Sequence, residues 1–161
     1  MKVARILLAS CIASSAGALF SWEAKSHHGF DGRYDLSAPV WLQGLVVHSY
    51  FGQPHAELVI ETSPDLAVPD QIPDLAAAAS FLAPGALTVR PETRGRHIKV
   101  ELPPTSQFFT LGQSIADRDT VALIALRNCE APHQLNVQWV QVGDDPPVAR
   151  SRPMSYMASE C

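Results

Sequence analysis

The chain has 161 residues, 47% of them apolar and 17% charged, with a formal net charge of −4. That length suits a single domain, and the apolar share supports a packed core, which excludes wholesale disorder. The acidic balance argues against nucleic acid and anionic membrane surfaces as partners.

Lys2 and Arg5 form a basic start, followed by the apolar and small-residue run "ILLASCIASSAGALF" from Ile6 to Phe20. The run is shorter than the ~20 residues a membrane-spanning helix needs, so it reads as a secretory signal peptide. Two cleavage points fit a small-x-small rule, after Ala18 and after Ser26. The second is preferred, because the first cuts inside the apolar run. "LASC", Leu8 to Cys11, resembles a lipobox but stands too early in the run. The expected division is a signal peptide at 1–26 and one domain at 27–161, periplasmic or secreted, with His27 as the first mature residue. Cleavage there leaves 9 basic and 15 acidic residues, a formal charge of −6. Cys129 and Cys161 then remain, an even number in an oxidising compartment, and a disulfide is expected. A pair of thiolate metal ligands is the competing reading.

Strand patterns dominate the rest. "PVWLQGLVVHSYF", Pro39 to Phe51, is rich in Val, Leu and aromatics, and Gly44 inside it suggests a bulge or bend. After the turn at Gly52–Pro54, "HAELVIET", His55 to Thr62, alternates as a second strand of an antiparallel hairpin. Residues 63–96 are punctuated by five prolines and contain one helix candidate, Pro73 to Leu82. "RHIKVEL", Arg96 to Leu102, alternates with Ile98, Val100 and Leu102 on one side and His97, Lys99 and Glu101 on the other. Thr105 to Gly112 reads as a short helical turn. Asp119 to Cys129 is an apolar strand. His133 to Val142 alternates again, with Leu135, Val137 and Trp139 expected to face one way. The tail from Val148 reads as extended, with a last edge strand. The order implies a mainly β fold: a small five-stranded OB-like barrel with one short helix and a long loop/helix insertion between strands 2 and 3. A sandwich is the alternative.

"HHGFD" at His27, "FGQPHAEL" at Phe51 and "RNCEAPHQLNVQWVQV" at Arg127 resemble a bacterial family of small exported domains of unknown function. Its members carry an N-terminal His-His pair and an aromatic-x-x-Pro-His turn. The resemblance spans about His27 to Val142 and implies export and an OB-like fold, but no activity. Gln53 stands where many members carry Asn, and the 63–96 insertion is an addition.

The histidines are the constellation with chemistry in it. A mature chain starting at His27 offers an α-amine and a ring nitrogen to one metal ion, a chelate that suits copper(II). His28 adjoins it, and His55 or His133, each after a proline, would supply a further nitrogen. Asp31, Glu57 or Glu130 would serve as oxygen ligand or supporting partner. The bland reading of the pair is a solvated arm. His48 and His97 read as surface residues. "FDGRYD" reads as an ordered arm packing Phe30 and Tyr34 on the barrel, rather than an anion clamp or a calcium loop. Trp41, Tyr50, Phe51 and Trp139 form either an aromatic ligand face or core. No G-x-S-x-G, C-x-x-C, H-E-x-x-H or phosphate loop is present. The leading expectation is an exported non-enzymatic domain that binds a copper ion. The alternative is a structural or protein-interaction module of the cell envelope with no metal. A weaker one is a copper-dependent redox enzyme.

Overall fold

A computed structural model describes residues 33–52, 55–72, 75, 82, 87–155, 157, 158, 160 and 161. The expected signal segment, His27, His28, Phe30 and Asp31 lie outside the described residues, as does most of the expected helix at 73–82. Eight strands are described: β1 Tyr34–Asp35, β2 Val40–Phe51, β3 Ala56–Thr62, β4 His97–Leu102, β5 Thr120–Arg127, β6 Leu135–Val142, β7 Val148–Ala149 and β8 Met157–Ala158. The one described α-helix, α1, is Ser106–Thr110, continued by a 3-10 turn at Leu111–Gln113.

The main sheet runs β4-β3-β2-β5-β6-β7 and closes through a β4–β6 pairing, so β2 to β6 form a five-stranded OB-like barrel with β7 as an extra strand. All main-sheet neighbours are antiparallel except the closing pair, which is parallel and rests on one register match, Glu101↔Asn136.

The long β2 strand serves two neighbours in turn. Its first half, Val40 to Leu45, pairs with β5, and its second, Gly44 to Phe51, pairs with β3. The bend between them needs an irregularity, which lies at Val47: Val46 pairs with Ile60 and His48 with Val59. The bulge is therefore three residues beyond Gly44. Gly44 meets a different need, because a Cβ there would overlap the carbonyl oxygen of Glu61 on the neighbouring strand.

A second bulge corrects the reading of β6. Ile124 pairs with Trp139 but the next residue, Ala125, pairs with Val137, leaving Gln138 as the extra residue. Val137 and Trp139 thus face opposite sides of the sheet, not the same side. Val137 points into the barrel, and Trp139 lies over the outside against Trp41, with ring centroids 6.1 Å apart.

The barrel interior is filled by Leu42, Val46, Leu58, Ile60, Val100, Leu123 and Val140, all 0–1% exposed. Pro103 and Pro104 end β4 and lead into α1, whose first turn is bonded from the amides of Phe108 and Phe109 to the Thr105 carbonyl. Phe108 is fully buried in the core, and Gly112 just after α1 leaves room for the ring of Phe51. The insertion is tied down at both ends. The Trp41 amide donates to the Thr88 carbonyl and the Thr88 amide to the Pro39 carbonyl, while the Thr62 hydroxyl donates to the Thr93 carbonyl and accepts from the Arg96 amide. The expected disulfide is present between Cys129 and Cys161. Beside it, β1 and β8 pair in parallel, Tyr34 with Met157.

Candidate functional site

Three regions carry chemistry. The first is the open outer face of β2, β3 and β4. The burial of β3 alternates residue by residue, so its Glu57, Val59 and Glu61 look outward. Register places Tyr50, Glu57 and Glu101 in one row and His48, Val59 and Lys99 in the next. Tyr50 is 47% exposed, and Lys99 Nζ lies 2.9 Å from Glu57 Oε1. Of the expected aromatic face, Tyr50 is the residue exposed on it. Trp41 is buried against Trp139, and Phe51 packs beside Gly112.

The second region is the loop from Asn128 to Gln134. The amide of Asn128 donates to the Gln134 carbonyl, that of Glu130 to Asn128 Oδ1, and that of His133 to the Glu130 carbonyl. His133 is held at φ +61°, a left-handed conformation that histidine tolerates better than most residues. Its side chain is exposed, and Nδ1 sits 3.0 Å from the Asn128 carbonyl oxygen. That carbonyl can only accept, so Nδ1 is the donor in this contact, which leaves Nε2 as the lone-pair nitrogen of the neutral ring. The chain enters the described structure at this loop. The Cys129 amide donates to the Arg33 carbonyl at 2.8 Å, and Tyr34 bridges Asn128.

Topology relates His55 and His133 in two ways. β2 runs toward His55, whereas β5, antiparallel to β2, runs the other way to the loop holding His133. The β4–β6 closure then brings their strands back together: Glu57, two residues after His55, and Asn136, three residues after His133, both pair with Glu101. No group of three or more His, Cys, Asp or Glu side chains able to share a metal ion occurs among the described residues. Glu57 is committed to Lys99, and Glu130 is exposed beside the disulfide.

The third region did not stand out in the sequence. Glu101 was expected on a solvated strand face, yet it is 5% exposed, and Asn136 and Gln138 are 0% exposed. Gln138 Nε2 donates to Oδ1 and to the main-chain oxygen of Asn136, at 2.5 and 3.2 Å. Because a carbonyl is one of the two acceptors, both amide orientations are determined. Three buried atoms then lack a partner: Glu101 Oε2, Asn136 Nδ2 and Gln138 Oε1. Burial raises the Glu101 carboxyl above the usual carboxylate range. The nearby His55 charge opposes this, Glu57 reinforces it and Lys99 opposes it. A polar residue inside an alternating strand ordinarily signals solvent, so nothing in the local pattern marks these three as buried.

The chain matches no family model, no curated protein and no solved structure.

Proposed function

We propose that this protein is an exported, non-enzymatic domain that binds a copper ion through His27, His28 and His133. The observation that carries the reading is the tether of Arg33 to Cys129 beside the His133 turn. His28 precedes Arg33 by five residues, a reach of at most ~17 Å, which covers the neighbouring loop. His133 has the arrangement metal-ligating histidines favour, one ring nitrogen donating to a carbonyl and the other left open. His55 is left out of this set, because among the described residues the tether of the chain before Arg33 is to the His133 loop. The disulfide supports a working life outside the reducing cytoplasm.

The test is native mass spectrometry of the untagged chain recovered after export, offered copper(II), beside His133→Ala and His55→Ala. The expected result is a chain starting at His27 that retains one copper, loss of the copper in His133→Ala, and retention in His55→Ala. A chain beginning elsewhere, or His133→Ala holding copper as well as the parent, would defeat the proposal. A second reading, an interaction module contacting an envelope protein, is favoured by Tyr50, exposed in the middle of the open face. No described helix is long and apolar enough to cross a membrane.

A further inference from the structure

We propose that Glu101 is a proton-operated latch on the barrel's closing seam, shut when the carboxyl is neutral and loosened when it ionises. The proposal is independent of metal binding. It rests on where Glu101 stands and on what faces it. Glu101↔Asn136 is the one register match between β4 and β6, so closure of the barrel passes through this pair. Past this pair the seam cannot extend: Pro103 and Pro104 follow β4, and β6 beyond Val137 turns to β7, through Trp139↔Ala149 and Val140↔Val148. A latch at this place therefore governs the whole junction.

The chemistry of the seam selects the neutral acid. Asn136 Nδ2 is an open donor and Gln138 Oε1 an open acceptor. A protonated carboxyl carries one of each, an O–H to give and a carbonyl oxygen to receive, and can satisfy both amides. A carboxylate can satisfy only the donor, and it meets the amide oxygen of Gln138 with charge against partial charge. It also loses its own hydration in a site that is 5% open. The charged and titratable groups around it do not neutralise it. From β3 come Glu57 and, just before the strand, His55; β4 itself contributes Lys99, whose ammonium is engaged by Glu57. β6 has no titratable side chain along its length. Arg150, after β7, lies on the same edge of β6 as β4 and bonds through its main-chain amide to the Gln138 carbonyl; the charges that act on Glu101 are those of His55, Glu57 and Lys99. The direction of the Glu101 pKa agrees with this balance.

The sign follows from linkage. A carboxyl whose proton is held more tightly in the closed seam than in the open one favours closure at low pH, and that preference is lost as pH rises from the ordinary glutamate range upward. Opening would free the backbone edges of β4 and β6 at one junction and leave the remaining pairings intact.

Amide hydrogen exchange of the full mature chain between pH 4 and pH 8, corrected for intrinsic exchange, tests this. Protection of Val100 to Leu102 and Asn136 to Val137 should fall on the order of tenfold with rising pH, one factor of ten for each unit by which the proton is held more tightly. Val121 to Leu123, paired on both sides, should hold steady. Glu101→Gln, neutral at every pH, should abolish the slope, and Glu57→Gln should retain it. If Glu101→Gln does not fold, the Glu101 side-chain carboxyl is followed by carbon-13 NMR in the parent chain. Its titration midpoint should coincide with the loss of seam protection. Protection that is flat across pH in the parent, an unchanged slope in Glu101→Gln, or a Glu101 midpoint in the ordinary carboxylate range would each overturn the latch.

Discussion

The β3–β4 side of the barrel and the β5–β6 side are built from strands of similar length, but they solve different burial problems. On β3, buried and partly exposed residues alternate from Ala56 to Thr62, because only the inner face is covered. On β5 and β6 the burial is nearly continuous, with Leu123 to Leu126 and Asn136 to Val140 all buried. There the inner face packs in the barrel, while Trp41, Ile124 and Trp139 pack together on the outer side. A barrel this small gains a second core by covering one outside face. The other outside face is left open to solvent.

The two halves should respond very differently to truncation. Trp139→Ala removes the outer-layer ring from a fully buried site and is expected to destabilise by about 3–5 kcal/mol. Val59→Ala, on the open face, is expected to cost less than about 1 kcal/mol. Urea unfolding of the two variants checks the contrast, and equal costs would mean that the outer layer contributes no core of its own.

Replacing Cys129 and Cys161 together by serine frees the C-terminal end from the loop 32 residues before it. The chain-entropy argument gives a loss of about 3–4 kcal/mol. The loss should be local as well as global: β1, β8 and the His133 loop should exchange faster, while β3 and β4 are unaffected. Uniformly faster exchange would show that the staple does not act on one end.

Thr62 joins the open half to the insertion, with one hydroxyl donating to the Thr93 carbonyl and accepting from the Arg96 amide. Thr62→Val keeps the shape and leaves those groups short of a partner, for an expected loss of about 1–3 kcal/mol. Thermal unfolding reads the loss directly, and a neutral result would mean that water replaces the hydroxyl.

What the sequence made legible follows the same divide. The alternation of "ELVIE" and "HIKVE", the turn between the first hairpin strands and the Pro-Pro stop before α1 are local signals, and the strands, the helix and the barrel order could be read from them. The Cys129–Cys161 pair was legible from count and compartment. The face of Trp139 was not, because one extra residue at Gln138 inverts the strand's alternation, and a bulge needs the neighbouring strand to define it. The burial of Glu101 was hidden for a related reason. Its cover comes from a junction between strands more than thirty residues apart, which no local period records.

The smallest effect expected on the open face is also the most informative about its purpose. Lys99 and Glu57 make a 2.9 Å ion pair, but the lysine side chain is 59% exposed and the glutamate 29%. Such a pair gains little against water and salt, so Lys99→Met should change stability by no more than about 0.5 kcal/mol. The methionine keeps most of the aliphatic stem that lies over Val59 in the same row, which removes loss of packing as a confounding cause. Stability near the parent value at both low and high salt would show that the charges on this face do not hold the fold together. A loss well above 1 kcal/mol that shrinks in salt would mean that the Lys99–Glu57 pair is part of the barrel's own stability, and the case for an interaction surface there would weaken accordingly.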